Sequence, residues 1–380
     1  MQTSQQTDHG QTKRILSLDG GGIRVFFTLE VLERVEALVR ERLGRPEAVL
    51  ADHFDLIAGT STGAILGALL AWGLSIEQIK AMYRDLALKV FRPNRNLLQL
   101  LRNRYDADPL SRLLREFFME DGPEGRQPAT LGSPLLRTLF LAVLRNASTG
   151  SAWPLCSHPA LKFNARSHPE CNLDIPLWRI VRASTAAPTY FAPERIQTGE
   201  FNFQFVDGGV TPYNNPALIA ALMVTEPCFN IGWPRGEERL YVLSVGTGRT
   251  RVRYAGAGGA GEPALLEVVS KTFTAMIEGT TQQQDFLCRI LGRCLYGPII
   301  DSEVGELIEP APGAEGHPGS AELRRFTYVR YNTDFDSPDF VPVLSRYGGD
   351  VPMDLTPLIP ALQTLGQSYA RSEVRQEHMR

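Results

Sequence analysis

The chain has little of what marks a disulfide-rich, zinc-binding or nucleic-acid-binding protein. Its five cysteines are scattered, odd in number and without a CxxC pair, which argues against a disulfide framework and against a zinc site of that kind. The formal net charge is only −3 for 380 residues, so nothing global indicates a nucleic-acid polymer as partner. The opening MQTSQQTDHGQTKR lacks the apolar stretch of a signal peptide, and a cytoplasmic location is expected.

A single uncharged stretch, 56–76, is long enough to resemble a membrane span. Near its start, however, stand small and polar residues that favour a turn, the run Gly59–Gly63. The residues that follow, 64–72, have the length of a short buried helix. The stretch is therefore predicted to be buried inside the protein rather than in a bilayer.

Strand and helix patterns alternate along the chain. A short apolar strand at 14–18 is broken by Asp19–Gly22, and from Ile23 to Leu43 apolar residues recur at helical spacing. The unit then repeats. Further strands are predicted at 54–57, 139–144, 203–206, 240–245 and 326–331, and further helices at 64–72, 218–223 and 264–277. This alternation predicts an α/β sheet with helices on its faces.

The run Gly59-Thr60-Ser61-Thr62-Gly63 lies between a predicted strand and a predicted helix. A serine between two glycines in that context is typical of a nucleophile elbow, in which a sharp turn exposes the serine oxygen. The helix that follows would stabilise negative charge near its N-terminus. The alternative is an ordinary turn whose serine caps the helix. The strand–turn–helix context favours the nucleophile.

Two glycine-containing turns complete the set of candidates. Asp19-Gly20-Gly21-Gly22-Ile23-Arg24 opens a helix, where backbone N–H groups can converge on one point. Val25 stands where a dinucleotide fingerprint needs glycine, and the Gly-Lys-Ser/Thr of a phosphate loop is absent. An oxyanion hole or a packing turn remains. Asp207-Gly208-Gly209 follows a strand, so Asp207 is either a general base for Ser61 or part of an Asx turn.

A Ser–Asp–His triad is the competing arrangement, and the histidines do not favour it. In the order of an α/β-hydrolase, the histidine follows the acid. Only His317 and His378 come after Asp207, one in a loop-like run and the other near the end of the sequence. Neither follows a strand. A two-member Ser61–Asp207 site is therefore the favoured prediction, with a Ser–His–Asp esterase as the alternative.

Taken together and in this order, the three motifs resemble those of the patatin-like phospholipases. That family combines a DGGGxR loop, here Asp19–Arg24, with a GxSxG serine and a later DGG or DGA aspartate. The run Ala183–Phe191 and Ser244–Gly248 also resemble family stretches, so the likeness extends over about 14–250. The family commonly has glycine where this chain has Val25.

The resemblance implies a three-layer α/β/α sandwich with a mostly parallel central sheet. It also implies hydrolysis of glycerolipid acyl esters by Ser61 and Asp207, with an oxyanion hole at Gly20, Gly21 and Gly22 and without a catalytic metal or other cofactor. Arg24 would support the loop or meet a lipid phosphate. The expected organisation is a polar tail at 1–13, a catalytic core at 14–250, and a remainder at 251–380 within the same domain.

Regulation and membrane contact are further expectations. Some relatives of similar size are activated by cyclic nucleotides in anti-phage signalling, although no motif here predicts a nucleotide site. A patatin-fold binding protein without activity is another alternative, which intact Ser61 and Asp207 oppose. Basic and apolar residues mix in 84–104, which suits transient contact with a membrane surface or a solvated surface helix. The basic residues of this segment are Arg84, Lys89, Arg92, Arg95, Arg102 and Arg104.

Overall fold

A nine-stranded sheet forms the centre of the protein. The computed structural model describes residues 12–90, 108–249, 265–308, 324–335, 340–344 and 354–380. The strands of this sheet are β1 Lys13–Leu18, β2 Leu56–Thr60, β5 Leu139–Asn146, β6 Ser151–Cys156, β7 Glu194–Thr198, β8 Phe201–Asp207, β9 Leu240–Val245, β10 Arg293–Tyr296 and β11 Thr327–Tyr331. Their order in the sheet is β10-β11-β9-β1-β2-β5-β8-β7, with β6 also paired to β5. A separate hairpin consists of β3 Met119–Gly122 and β4 Gly125–Pro128.

Helices cover both faces of this sheet. They are α1 Val25–Leu43, α2 Thr62–Ala71, α3 Ile76–Val90, α4 Asp108–Phe117, α5 Leu177–Ser184, α6 Ala217–Thr225, α7 Leu265–Leu291, α8 Val341–Leu344 and α9 Ile359–Glu373. Among the residues that the structure describes, none of these helices is both long and apolar enough to cross a membrane. The uncharged stretch 56–76 forms β2, a turn and the buried helix α2, as predicted.

Alternation along the strands divides the core into two layers. Leu16 and Ile57 pack with α1 and α2 on one face, whereas Ile15 and Leu56 pack with α6 on the other. Successive strand residues point to opposite faces, so two adjacent apolar residues serve two different cores. The result is a three-layer α/β/α sandwich with a mostly parallel sheet, and the predicted fold class is confirmed.

One edge of the sheet is antiparallel, which the alternation of strands and helices in the sequence does not predict. β8 runs antiparallel to β5, and β7 runs antiparallel to β8. A tight hairpin turn at Gly199, whose φ of +56° suits glycine, joins β7 to β8, and β8 is the strand of this hairpin that pairs with β5. The observed β8 is also longer than the predicted strand at 203–206, and α7 extends well beyond the predicted end at 277.

The residues after 250 contribute to the same sheet. β11 pairs in parallel with β9, and β10 pairs in parallel with β11. α9 packs against α1 on the opposite side of the sheet from α6. Two glycine-rich stretches that the sequence predicts to be loops, 255–261 and 310–320, lie outside the described residues.

Candidate active site

Ser61 occupies a sharp turn between β2 and α2. Its φ of +55° and ψ of −125° are rare for a residue with a side chain, and such strain is often stored at functional sites. Glycine on each side makes the turn feasible. A Cβ on Gly59 would lie 2.1 Å from the carbonyl oxygen of Gly63, and one on Gly63 would lie 2.4 Å from that of Leu18. The Gly-x-Ser-x-Gly spacing thus follows from close backbone approach.

The sheet brings Asp207 to Ser61 although they are 146 residues apart. β5 makes the connection, because its Val143 pairs with Thr60 of β2 and its Leu144 pairs with Asp207 of β8. The Ser61 hydroxyl donates a hydrogen bond of 2.6 Å from Oγ to Oδ2 of Asp207. This distance is typical of a charge-assisted hydrogen bond from a hydroxyl to a carboxylate, which is shorter than a bond between neutral groups. The two candidates from sequence therefore lie in direct contact.

The Asp207 carboxyl is almost completely buried, with 4% of the residue exposed. Its second oxygen, Oδ1, accepts the N–H of Gly209 at 2.6 Å. Burial raises the pKa of Asp207 to about 6, while hydrogen bonds from Ser61 and Gly209 and the charge of Arg182 act in the opposite direction. Near neutral pH the carboxyl is mostly ionised, yet it is a stronger base than an exposed aspartate.

Ser184 lies behind Ser61 and is fully buried. Its Oγ accepts the backbone N–H of Ser61 at 3.0 Å and donates to the carbonyl oxygen of Val143 at 2.7 Å. The hydroxyl therefore helps hold the strained turn. The sequence does not mark Ser184 as a support for the Ser61 turn, although it stands in the family-like run Ala183–Phe191.

The glycine loop runs directly beside Ser61. A Cβ on Gly20 would lie 3.0 Å from the Cβ of Ser61. The Gly20 N–H donates to the carbonyl oxygen of Asn214 at 3.3 Å, and the Gly21 N–H donates to Oγ1 of Thr62 at 3.2 Å. Gly22 has a φ of +59° and begins the turn that leads into α1. Two of the three predicted oxyanion donors thus already have partners within the protein.

Arg24 is buried, with 3% of the residue exposed. Its guanidinium lies 3.6 Å from the Glu278 carboxylate of α7. The arginine lines a small polar pocket together with Asp19 and Glu278, whereas the pocket that contains Ser61 is lined without it. This position beside the loop favours loop support over contact with a lipid phosphate.

Ser61 and Asp207 open into a pocket with mainly apolar walls. The pocket meets the glycine loop at Gly20, Gly21 and Gly22. Its apolar lining comes from Ile23, Val25, Phe26, Ile65, Tyr83, Leu110, Ala187, Pro188, Tyr190, Phe191, Val210 and Ile277. An apolar cleft with a few converging polar groups is the usual form of a small-molecule site. Here its chemistry suits an acyl chain whose ester carbonyl reaches Ser61.

The remaining candidates lie elsewhere. His378 is buried, and its Nδ1 is 3.0 Å from the hydroxyl of Tyr331, while its ring stacks on Tyr296. His317 lies outside the described residues. Of the basic segment 84–104, Arg84 is exposed on α3, but the side chains beyond it are outside the described part of the chain. Within the described residues, no cluster of three or more His, Cys, Asp or Glu side chains could hold a metal ion.

Comparison with known proteins identifies the family. The model for the patatin-like phospholipases matches residues 16–221. A "cGAMP-activated phospholipase" of Escherichia coli (strain TW11681) is 31% identical over 62% of this chain and 62% of its own length. A protein of the same description from Vibrio cholerae serotype O1 is 31% identical over 68% of this chain and 73% of its own.

The chain is also similar to a plant protein. Patatin-17 of Solanum cardiophyllum is 29% identical over 63% of this chain and 62% of its own length. The chain thus matches about three fifths of the length of two of these relatives and nearly three quarters of the third. With the family model matching more than half of the sequence, the chain belongs to the patatin-like phospholipase family.

Proposed function

We propose that this protein hydrolyses acyl esters of glycerolipids, with Ser61 as nucleophile and Asp207 as general base. The observation that carries the proposal is the 2.6 Å hydrogen bond from the Ser61 hydroxyl to the buried Asp207 carboxylate. This hydrogen bond lies in an apolar pocket beside the glycine loop, and that location supports a lipid substrate. Membership of the family supports ester hydrolysis as the reaction.

The first half of the reaction transfers the acyl group to the enzyme. Asp207 takes the hydroxyl proton as Ser61 Oγ attacks the ester carbonyl carbon. The carbonyl oxygen becomes an oxyanion, which the loop N–H groups stabilise. When the tetrahedral intermediate collapses, the bond to the lipid alcohol breaks, and the alcohol leaves with the proton held by Asp207. An acyl-Ser61 ester remains.

The second half restores the free enzyme. Asp207 removes a proton from water as the water oxygen attacks the acyl-Ser61 carbonyl. Collapse of the second intermediate releases a fatty acid and returns the proton to Ser61 Oγ. Among the loop donors we favour Gly21 and Gly22 over Gly20. The Gly20 N–H is bound to the fixed backbone carbonyl of Asn214, whereas the Gly21 N–H is bound to the Thr62 hydroxyl, which can rotate away.

Mass spectrometry of the products from a mixed lipid extract tests the function. Wild-type protein should release free fatty acids and lysolipids, and Ser61→Ala should release neither while keeping its melting temperature. Ser302→Ala is a matched control, because Ser302 is exposed on the surface. Equal product formation by Ser61→Ala and wild type would assign the reaction to another residue.

Activation by a cyclic nucleotide is the second candidate property. Two relatives are named cGAMP-activated phospholipases. A polar pocket next to the loop shares Gly20 and Asn214 with the apolar pocket, and its wall includes Arg24, Arg249 and Gln282. A ligand bound there would contact the loop from outside the catalytic pocket.

Activity measured with a panel of cyclic di- and trinucleotides, including cGAMP, tests this candidate. A regulated enzyme should be slow alone and accelerate with one member of the panel at saturating concentration. A constitutive enzyme should hydrolyse vesicles at the same rate with every nucleotide, which would remove the regulatory proposal and leave the hydrolase intact.

A further inference from the structure

A buried ion pair joins the glycine loop to the far end of the chain. Asp19, the first residue of the loop motif, accepts two hydrogen bonds from the Arg330 guanidinium, at 2.8 Å and 2.5 Å. The side chains of the two residues are 3% and 1% exposed. A two-point contact between planar groups fixes orientation as well as distance. Arg330 lies on β11, well beyond the stretch 16–221 that matches the family.

Sheet order explains how these residues meet. β9 lies between β11 and β1, with Arg330 opposite Ser244 and Ser244 opposite Ser17. The guanidinium donates to Ser244 Oγ at 2.7 Å and reaches across β9 to Asp19, which directly follows β1. Burial disfavours the charged guanidinium, but the Asp19 carboxylate outweighs it and raises the pKa of Arg330 above its ordinary value. The arginine therefore remains a cation inside the protein.

The next residue of the loop is held by the same part of the protein. The Gly20 carbonyl oxygen accepts hydrogen bonds from Thr247 Oγ1 at 3.3 Å and from Asn214 Nδ2 at 3.4 Å. Asn214 Nδ2 also donates to Thr281 of α7 at 3.1 Å. Asp19 and Gly20 are thus each tied to a residue that follows the family-matched stretch, Asp19 to Arg330 and Gly20 to Thr247.

We propose that Arg330 is a positioning residue, which acts through Asp19 to hold the glycine loop in the geometry that its N–H groups need to stabilise the oxyanion. This inference rests on the proposed hydrolase function. An oxyanion hole is effective because its donors are fixed before the charge develops, whereas a buried ion pair in itself contributes little net stability compared with apolar residues. The C-terminal strands would therefore contribute to the reaction as well as to the sheet.

The test compares variants of the Asp19–Arg330 pair with a variant of another buried ion pair. Arg330→Met alone leaves a buried carboxylate without its cation and destabilises the protein. The double variant Asp19→Asn/Arg330→Met removes both charges, and Arg330→Lys keeps the cation without the two-point fork. The control is Glu30→Gln/Lys80→Met, because Lys80 and Glu30 form a buried pair at 2.7 Å between α3 and α1, apart from the loop.

Two readouts separate positioning from folding. Steady-state kinetics on a soluble short-chain ester give kcat and KM, and hydrogen exchange of the peptide covering 16–24 reports on the loop directly. In the folded double variant we expect kcat to fall on the order of 10²-fold, KM to change less than twofold, and the loop amides to exchange faster. Arg330→Lys should be intermediate on both measures, and the control should match wild type.

Wild-type kcat and loop exchange in the folded double variant would overturn the inference. So would an equal loss of kcat in the control pair, since that would reflect general destabilisation. A wild-type protein that neither cleaves the ester nor reacts with a fluorophosphonate, with or without each member of the cyclic nucleotide panel, would instead overturn the proposed function. The wild-type measurements test the hydrolase function, and the variants test the role of the Asp19–Arg330 pair, so the two failures are distinguished.

Discussion

The ends of strands β1 and β8 are similar in sequence and different in structure. A buried aspartate followed by at least two glycines stands at each, Asp19 directly after β1 and Asp207 as the last residue of β8. Asp207 is bound by neutral donors, the Ser61 hydroxyl and the Gly209 N–H. Asp19 is bound through both oxygens by the permanent cation of Arg330.

This difference in partner decides what each carboxylate can do. Burial raises the pKa of Asp19 as it does that of Asp207, but at Asp19 the Arg330 guanidinium opposes the rise. Protonation of Asp19 would also leave a buried positive charge unpaired. A buried carboxylate with only hydrogen-bond donors in contact keeps its basicity, and the pKa of Asp207 is raised to about 6 by burial. The same local motif thus suits the proposed base at one strand end and the proposed anchor of the loop at the other.

Asp207→Asn should have the largest effect on the reaction. The amide cannot accept the Ser61 proton, so kcat on a soluble ester should fall on the order of 10⁴-fold. Stability at pH 8 should rise, by up to about 3 kcal/mol. The pKa is raised in the folded state, so ionising Asp207 as the pH rises from about 4 to about 6 destabilises the wild type.

Urea unfolding of wild type and Asp207→Asn at pH 8 and at pH 4 measures this effect. The difference between the two proteins should be present at pH 8 and absent at pH 4, where the wild-type carboxyl is protonated. A variant that keeps a tenth of the activity, or that is less stable than wild type at pH 8, would contradict the assignment of Asp207 as a buried base.

Asp19→Asn should change stability in the opposite direction. The substitution leaves the Arg330 guanidinium buried without its counter-ion, which destabilises proteins by about 3–5 kcal/mol. The comparison with Asp207→Asn is direct, because both replace a buried aspartate by its amide at a strand end. Parallel urea unfolding of the two variants at pH 8 is the measurement. Shifts of the same sign in both variants would mean that the partner does not set the role.

The sequence predicts one of these sites much better than the other. Ser61, Asp207 and the glycine loop are each marked by glycines at the end of a strand. The parallel strands β1 and β2 place the loop and Ser61 at one edge of the sheet, whereas Asp207 reaches them from the antiparallel strand β8. Arg330 carries no such mark. It stands within an apolar strand, and its partner is 311 residues away, so no local pattern indicates the contact.

The antiparallel edge shows a second limit. The sequence predicts the strand before Asp207, but not that this strand forms a hairpin with β7 through the turn at Gly199 and pairs antiparallel with β5. Ser184 is similar, because a buried hydroxyl that supports a backbone N–H looks like any other serine in a sequence. The direction of β8 and the buried polar contacts that no glycine motif marks are therefore what the sequence does not predict.

The pH dependence of the reaction should follow Asp207. A protonated Asp207 cannot take the Ser61 proton, so kcat/KM should fall about tenfold for each pH unit below about 6. Above that pH the rate should level off, because the base is ionised. Initial rates on a soluble ester between pH 4.5 and pH 9 give the profile. A rate that stays constant down to pH 5 would contradict the raised pKa of Asp207.

The smallest expected effect is on the histidines that a triad would need. Both oxygens of Asp207 are occupied by Ser61 and Gly209, and His378 is instead bound to the Tyr331 hydroxyl. His378→Gln should therefore lower the melting temperature, since a buried hydrogen bond is altered, while kcat/KM stays within twofold of wild type. His317→Gln should leave both quantities unchanged. If either folded variant lost more than tenfold in kcat/KM, a histidine would have to mediate proton transfer, and Asp207 would orient that histidine in place of acting as the base.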